Sequence, residues 1–559
     1  MKQNKKSHVT ILLFFFVMVS ASFAQGSSSN LLLFIDKPGE RTIDGQILFA
    51  PIYSTTTYLI DRAGAVDHTW SSAYNPNACV YWLGNGTILR AISSGEGGVQ
   101  KILWNGTPTW DYKYTESGCT AHHDIKYLPN GNVLMIVFEI KIRADAIIAG
   151  RNPNQILSGK TFWSDKIIEV KPTGPTSGDV VWEWHAWDHL IQDYDPSEPN
   201  YGIVGDHPEL IDINFGDQFG YSIYDWLHIN SLDYNPQFNQ ILIDVHNFDE
   251  VWVIDHSTTT EEAAGHTGGH YGHGGDLLYR WGNPQAYRRG NSSDEKLFGQ
   301  HDATWIPSGY PGAGDILVFN NGYNRPGTKY SSVDEFIPPI NSSGWYALGN
   351  GSVYGPKNFS WDYTADPPTT FYSKVFGSAL RLKDGDTLIC NGQGEPATFF
   401  EVTPDGTMVW QYTNPYPSLM LNDVFKIDYI PPEKPPNPPI ITGPVKAKIK
   451  NAVVYNLTTT NPDGDSVFYF IDWGDHTNSS WIGPYSSGAI ITQLHTWTTK
   501  GTYIIKVKAK DIYNAESSNW STLEVVMSLS YELQHLQFLA WLFNWFPHAF
   551  PILRQLISS

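Results

Sequence analysis

The 559-residue chain holds only three cysteines, Cys79, Cys119 and Cys390, and none share a CxxC spacing, which excludes a cysteine-based zinc site. It has no GxxxxGK[ST] and no strand–glycine–helix unit, which excludes a P-loop or dinucleotide cradle. Positive charge is scarce: 36 Lys and Arg against 56 Asp and Glu give a formal net charge of −20. An acidic exterior argues against nucleic acid and anionic membrane as partners. An anionic substrate would therefore need cations or hydrogen-bond donors placed locally in its site.

Long apolar runs are few. The first, in "MKQNKKSHVTILLFFFVMVSASFAQG", follows Lys2, Lys5 and Lys6 and ends in small residues at Ala24. This is the pattern of a secretory signal over residues 1–24, favoured over a retained anchor by the polar "QGSSSN" that follows. Its removal takes three lysines and leaves a formal charge of −23. The expected location is secreted, extracytoplasmic or cell-surface. A second apolar stretch, residues 528–559, is helix-prone up to Pro547 but too short and interrupted to span a bilayer, which needs roughly 20 apolar residues.

What the chain has in quantity is aromatic: 21 Trp, 31 Tyr and 27 Phe, residues that suit pleated surfaces. It also repeats itself. A short apolar strand, a turn such as "LPNG", an "ILV" strand, a third strand, then Gly and a Trp-bearing strand recur at 77–114, 122–187, 228–284, 301–363 and 378–415. A less regular first unit spans 44–70. Turns "LGNG", "LPNGN" and "LKDGD" carry the Asn-Gly or Asp-Gly signal of two-residue hairpins. Each unit therefore reads as a four-stranded antiparallel sheet. Six in series predict an all-β fold, a six-bladed β-propeller over 30–429, in preference to an array of sandwiches. Residues 430–444 are a stiff Pro-rich linker. Residues 445–527, with "WGD" and "GTYIIKVKAKD", resemble a PKD-type, immunoglobulin-like sandwich, a module that suits contact with a cell surface or glycan. By repeat position Cys79 and Cys119 are candidates to pair, whereas Cys390 reads as a buried small hydrophobe.

Aligned on their first strands, the units place His123, Asn230 and His301 in one column, with His228 two residues earlier and Ala78 and Gly377 as counterparts. First strands are innermost in a propeller, so these side chains are expected to converge at one mouth of the channel. Asp124 and Asp302 should point to the opposite face and act as ties between blades. His266, His270 and His273 lie in the glycine-rich "GHTGGHYGHGGD", which reads as a polar loop, and no metal or other cofactor is expected.

The motifs "HHDIKYLPNGN", "DWLHINSLDYNP" and "GQHDATWIP…ILVFNNG", in this order across roughly residues 45–415, resemble the arylsulfate sulfotransferase family. The resemblance implies a six-bladed propeller and transfer of a sulfuryl group from a phenolic sulfate donor to a phenolic acceptor through a sulfated histidine, without a nucleotide sulfate. It puts the nucleophile at His301, with His123 (or adjacent His122), His228 and Asn230 in support. The family carries an arginine on the strand after "HIN"; here the match is His246, and Arg325 is a further candidate cation. Some family members have an extra N-terminal β-domain, whereas here the repeat units begin soon after the expected signal, so family inferences about dimerisation do not carry over. Two competing readings are a non-catalytic extracellular ligand-binding propeller or adhesin, and a metal-dependent hydrolase or lyase built on the same histidines.

Overall fold

The computed structural model describes residues 34–36 and 44–546, apart from 85, 157–158, 217–224, 395, 433, 513–514 and 530. The expected leader and the end of the apolar C-terminal stretch lie outside the described residues. The chain is nearly all β. Among the described residues, six antiparallel sheets of four or five strands are built before residue 431. Their first strands are Val424–Ile430, Asn75–Trp82, Cys119–Tyr127, Ile229–Asn235, His301–Trp305 and Ser378–Arg381. Each first strand lies against those of its two neighbouring sheets, and the contacts run round a closed ring. The seam is in the first sheet, where Val424–Ile430 from the far end of the ring pairs with Gln46–Pro51.

The recurrent tryptophan explains how sheets hold one another. In each sheet the fourth strand carries a Trp whose Nε1–H donates to a backbone carbonyl of the next sheet. Trp70 reaches Leu103 O (3.1 Å), Trp110 reaches Ser177 O (3.0 Å) and Trp184 reaches Gly275 O (2.7 Å). Trp281 reaches Pro356 O, Trp361 reaches Pro404 O and Trp410 reaches Arg62 O, each at 2.8 Å, the last crossing the seam. A large apolar ring with one donor suits this position: it fills the space between sheets and still satisfies its N–H.

The hairpin turns differ from the expectation. In "LPNGN", Leu128 N–H bonds Asn132 O and Gly131 N–H bonds Leu128 O, both at 2.9 Å, with Gly131 at φ 89°. That is a three-residue loop closed by a glycine bulge, not a two-residue turn. Pro129 has no N–H to close a narrow two-residue Asn130-Gly131 turn, but proline is not required for the wider loop. "LKDGD" closes identically, with Leu382 N–H on Asp386 O and Gly385 N–H on Leu382 O.

Where the six first strands meet, Lys426 is buried and its ammonium bridges Asp124 (3.1 Å) and Asp302 (2.6 Å). Asp124 also accepts from Tyr81 Oη (2.6 Å) and Leu232 N–H (3.3 Å), and Asp302 from Ala379 N–H (3.2 Å). These groups come from all six sheets. Burial alone would discharge Lys426, but the two carboxylates outweigh it and raise its pKa well above the ordinary value. The two aspartates thus tie sheets together, as their orientation in the strand had suggested.

Cys79 and Cys119 do not pair; both are free and buried. The Cys79 thiol lies beside Asp124 and Ile125, about five residues along the strand that Cys119 begins. The Pro-rich segment ends in an edge strand, Ile440–Thr442, paired with Val453–Thr458. Beyond it a three-stranded and a five-stranded sheet enclose a core of Tyr455, Tyr469, Trp473, Trp497 and Val507, an immunoglobulin-like sandwich. Tyr531–Trp545 is a helix, and among the described residues no helix is long and apolar enough to cross a membrane.

Candidate functional site

The first strands of sheets three, four and five are each irregular near their start. Pairing shifts register between Met135 and Val137 opposite the third sheet's first strand, between Ile229 and Ser231, and between His301 and Thr304. His123 and His228 both take φ 54°, a left-handed conformation uncommon for a residue with a side chain. These bulges turn imidazoles inward that a regular pleat would send elsewhere.

The result is a closed circle of five rings. His123 and His228 have centroids 4.7 Å apart, His228 and His246 5.2 Å, and His246 and His301 5.4 Å. Phe425 lies 5.6 Å from both His301 and His123 and completes the circle. Of the residues expected to converge, His123, His228 and His301 do, and His246 joins them. Asn230 does not face the circle. It is fully buried, and its Nδ2 donates to Gln300 O (2.7 Å), because the bulge at 229–231 hands the inward position to His228. Asn230 thus ties the His228 strand to the residue before His301.

His122 stands behind the circle. Its Nε2 is 2.8 Å from Asp165 Oδ1, its Nδ1 is 2.7 Å from His123 Nδ1, and its face stacks on Phe138 at 3.4 Å. With both ring nitrogens engaged it can orient His123 but cannot attack. Arg325 is also committed elsewhere: it lies over Phe298 and Tyr330 and its Nη2 donates to Ser332 Oγ (2.9 Å).

The hydrogen-bond partners fix tautomers. His301 Nδ1 is 2.8 Å from Asn321 Oδ1, and Asn321 Nδ2 donates to Ser373 O (2.8 Å) and Phe376 O (3.1 Å). Carbonyls only accept, so the Asn321 amide cannot be turned round, and His301 must carry its proton on Nδ1. His246 is held in the same way: Nδ1 donates to Asn247 Oδ1 (2.9 Å), while Asn247 Nδ2 donates to Asp225 O (2.7 Å). In both neutral rings Nε2 is left with a bare lone pair.

Electrostatics then separate one histidine from the rest. Burial lowers the pKa of His123 and His301 well below the ordinary value, aided by neighbouring imidazoles, and takes His246 down to about 4. His246 therefore supplies no cation in place of the family's arginine near neutral pH. At His228 burial also works against charge, but Asp225, whose Oδ2 is 2.6 Å from Nδ1, outweighs it and raises the pKa. The site thus holds neutral imidazoles suited to attack beside one imidazole whose protonated form is favoured and which is suited to give a proton.

Asp225 and Asn321 lie inside the motifs "DWLHINSLDYNP" and "ILVFNNG" but were not themselves candidates, and neither Asn247 nor Phe425 was. Asn321 directly follows the second strand of the His301 sheet, which puts it at the end of the site.

In comparison with known proteins, none of the curated proteins matches this chain. Among solved structures, the chain is similar to the PKD domain of an M14-like peptidase from Thermoplasmatales archaeon SCGC AB-540-F20. The two are 49% identical over 17% of this chain and 98% of that one, with a TM-score of 0.17. It is similar also to the PKD domain of the human VPS10 domain-containing receptor SorCS2, at 20% identity over 18% of this chain and 78% of that one, with a TM-score of 0.14. An extracellular domain assigned to a hybrid two-component system of B. thetaiotaomicron is 10% identical over 86% of this chain and 71% of its own, with a TM-score of 0.20. The arylsulfotransferase (ASST) family model matches residues 35–404, a stretch that contains all four histidines of the circle, and the chain belongs to that family.

Proposed function

We propose that the ring of six sheets is a six-bladed propeller, exported by its leader, that moves a sulfuryl group from a phenolic sulfate ester to a second phenol through a sulfated His301. The observation that carries this reading is the Asn321–His301 contact, which leaves Nε2 unprotonated in a circle with His228, whose protonated form Asp225 favours.

In the first half-reaction the His301 Nε2 lone pair forms a bond to sulfur while the S–O(aryl) bond breaks. The departing phenolate takes the proton of His228, and Asn321 Oδ1 stabilises the positive charge that grows on the His301 ring. Sulfuryl transfer has a loose transition state with charge on the peripheral oxygens, as in phosphoryl transfer, so fixed donors serve it better than a strong base. In the second half-reaction neutral His228 takes the proton of the acceptor phenol, whose oxygen attacks sulfur and releases His301. Phe138, half-buried beside His228, supplies apolar surface for an aryl group, and the buried Phe425 backs the circle.

A second reading makes His246 the nucleophile, since its tautomer is fixed in the same way and its ring is less buried than that of His301. Brief incubation with aryl sulfate alone, alkaline quench and peptide mass analysis distinguishes them. The expected adduct is on the peptide containing "FGQHDATW", with transfer abolished in His301→Ala. An adduct on "DVHNFDE" assigns His246. Turnover with no adduct on either overturns the covalent route.

A further inference from the structure

The glycine-rich loop 265–276 belongs to an enlarged connection. In the second sheet, residues 103–107 suffice to join the third strand to the fourth; in the fourth sheet residues 256–278 do so. Such a long connection needs something to hold it. His266, His270 and His273 do not come together: His270 packs on Tyr271 and His273 on Trp345. Instead His266 meets two groups that sequence reading did not single out, His189 and Asp276. His189 Nδ1 and His266 Nδ1 each lie 2.8 Å from the same atom, Asp276 Oδ1.

His189 is fully buried and locked. It stacks parallel to Trp184, and its Nε2 donates to Ala263 O at 2.9 Å. Gly275 makes room for it, since a Cβ there would fall 2.6 Å from His189 Nε2 and 2.0 Å from Ala263 O. A carbonyl oxygen only accepts, so the proton of the neutral His189 ring is on Nε2. Its Nδ1 is then a lone pair aimed at a carboxylate oxygen, which is repulsive unless a cation lies between them. A second ring nitrogen converges on that oxygen from His266, which is 59% exposed and leaves an open side for water. Imidazole held through its other nitrogen by a backbone carbonyl is the usual support of a metal ligand.

We propose that His189, His266 and Asp276 bind one divalent ion of the zinc class, with water completing a four-coordinate shell. Two imidazoles and a carboxylate are a fitting donor set, and metal–ligand bonds of ~2.0–2.2 Å require only a small opening of the cluster, which the exposed His266 can make. The ion pins the long connection of the fourth sheet to the turn after Ser177–His185 of the third, beside the Trp184–Gly275 contact. It stands apart from the histidine circle and takes no part in sulfuryl transfer.

The test uses tag-free, full-length mature protein. After chelation, equilibrium dialysis against Zn²⁺ should return one equivalent, Co²⁺ should give intense visible bands of tetrahedral type, and Zn²⁺ should raise Tm by mass action. His266→Ala, an exposed change, should lose the equivalent, the bands and the Tm shift, and Asp276→Asn should do the same. Transfer by His266→Ala at low temperature should be unchanged. An equivalent retained in both variants overturns the proposal. So does wild type that takes up no ion, in which case a doubly protonated His189 paired with Asp276 occupies the place of the metal.

Discussion

His301 Nδ1 donates to Asn321 Oδ1 at 2.8 Å, and the Asn321 amide is itself held by two backbone carbonyls. This pins both the tautomer and the direction of the ring. Asn321→Ala should therefore lower the rate of phenol release by about 10²-fold, the scale of a misaimed reacting group, with little change in KM. Stopped-flow measurement of the release burst checks this. A variant whose burst rate is intact while only its Tm has dropped would show that Asn321 serves the fold alone.

In the proposed reaction His228 is the acid, and its raised pKa sets the alkaline limit. The charged form is present below the folded-state pKa, above the ordinary 6.5, and is lost as pH rises through it. Phenolate release from unactivated esters should hold through neutral pH and fall at higher pH. Asp225→Asn removes the charge that raises this pKa, so the limb should move to lower pH. His228→Gln should slow esters of weakly acidic phenols on the order of 10²–10⁴-fold and spare nitrophenyl esters, whose leaving group needs no proton. Equal slowing of both ester classes would remove His228 from that role.

Lys426 offers a test of the ring. Replacing it by Met leaves Asp124 and Asp302 buried without their cation, a change that costs about 3–5 kcal/mol. The urea midpoint should drop accordingly, and the triple change Lys426→Met, Asp124→Asn, Asp302→Asn should recover part of it. A midpoint for Lys426→Met alone that stays at the wild-type value contradicts the hub.

Truncation separates the two halves of the chain. Asn437 is bonded to Thr459 and Thr460 of the C-terminal module, so a clean cut falls before it. A chain ending at Pro432 keeps Val424–Ile430 and should transfer sulfuryl groups at the full-length rate. One ending at Asn422 loses Phe425 and Lys426 and should be unfolded and inactive by circular dichroism and assay. A soluble, folded and inactive 432-residue form would mean that the C-terminal module contributes to the site.

The sheets were legible because their cause is local. Apolar alternation, glycine turns and one tryptophan per unit recur in the chain itself. The convergence of His123, His228 and His301 followed from that repetition. Asn230 was misplaced because a one-residue bulge reverses which side chain faces inward, and nothing in "HINSLDY" marks the bulge. The turn geometry was not legible in the Asn-Gly and Asp-Gly pairs, because "LPNGN" and "LKDGD" close the same three-residue loop with Pro129 in one and Lys383 in the other. Phe425 was invisible for another reason: it comes to His123 from about 300 residues away, across a seam that no local pattern records.

The seam also sets an order of events. A polypeptide emerges from its amino end, so five sheets and part of the first exist before Val424–Ile430 has been made. Until that strand arrives the ring stays open, Asp124 and Asp302 lack their cation, and the circle of imidazoles lacks its fifth member. One short segment therefore delivers the keystone and the last ring of the circle together, so a half-made chain lacks both the closure of its fold and the full surroundings of its histidines.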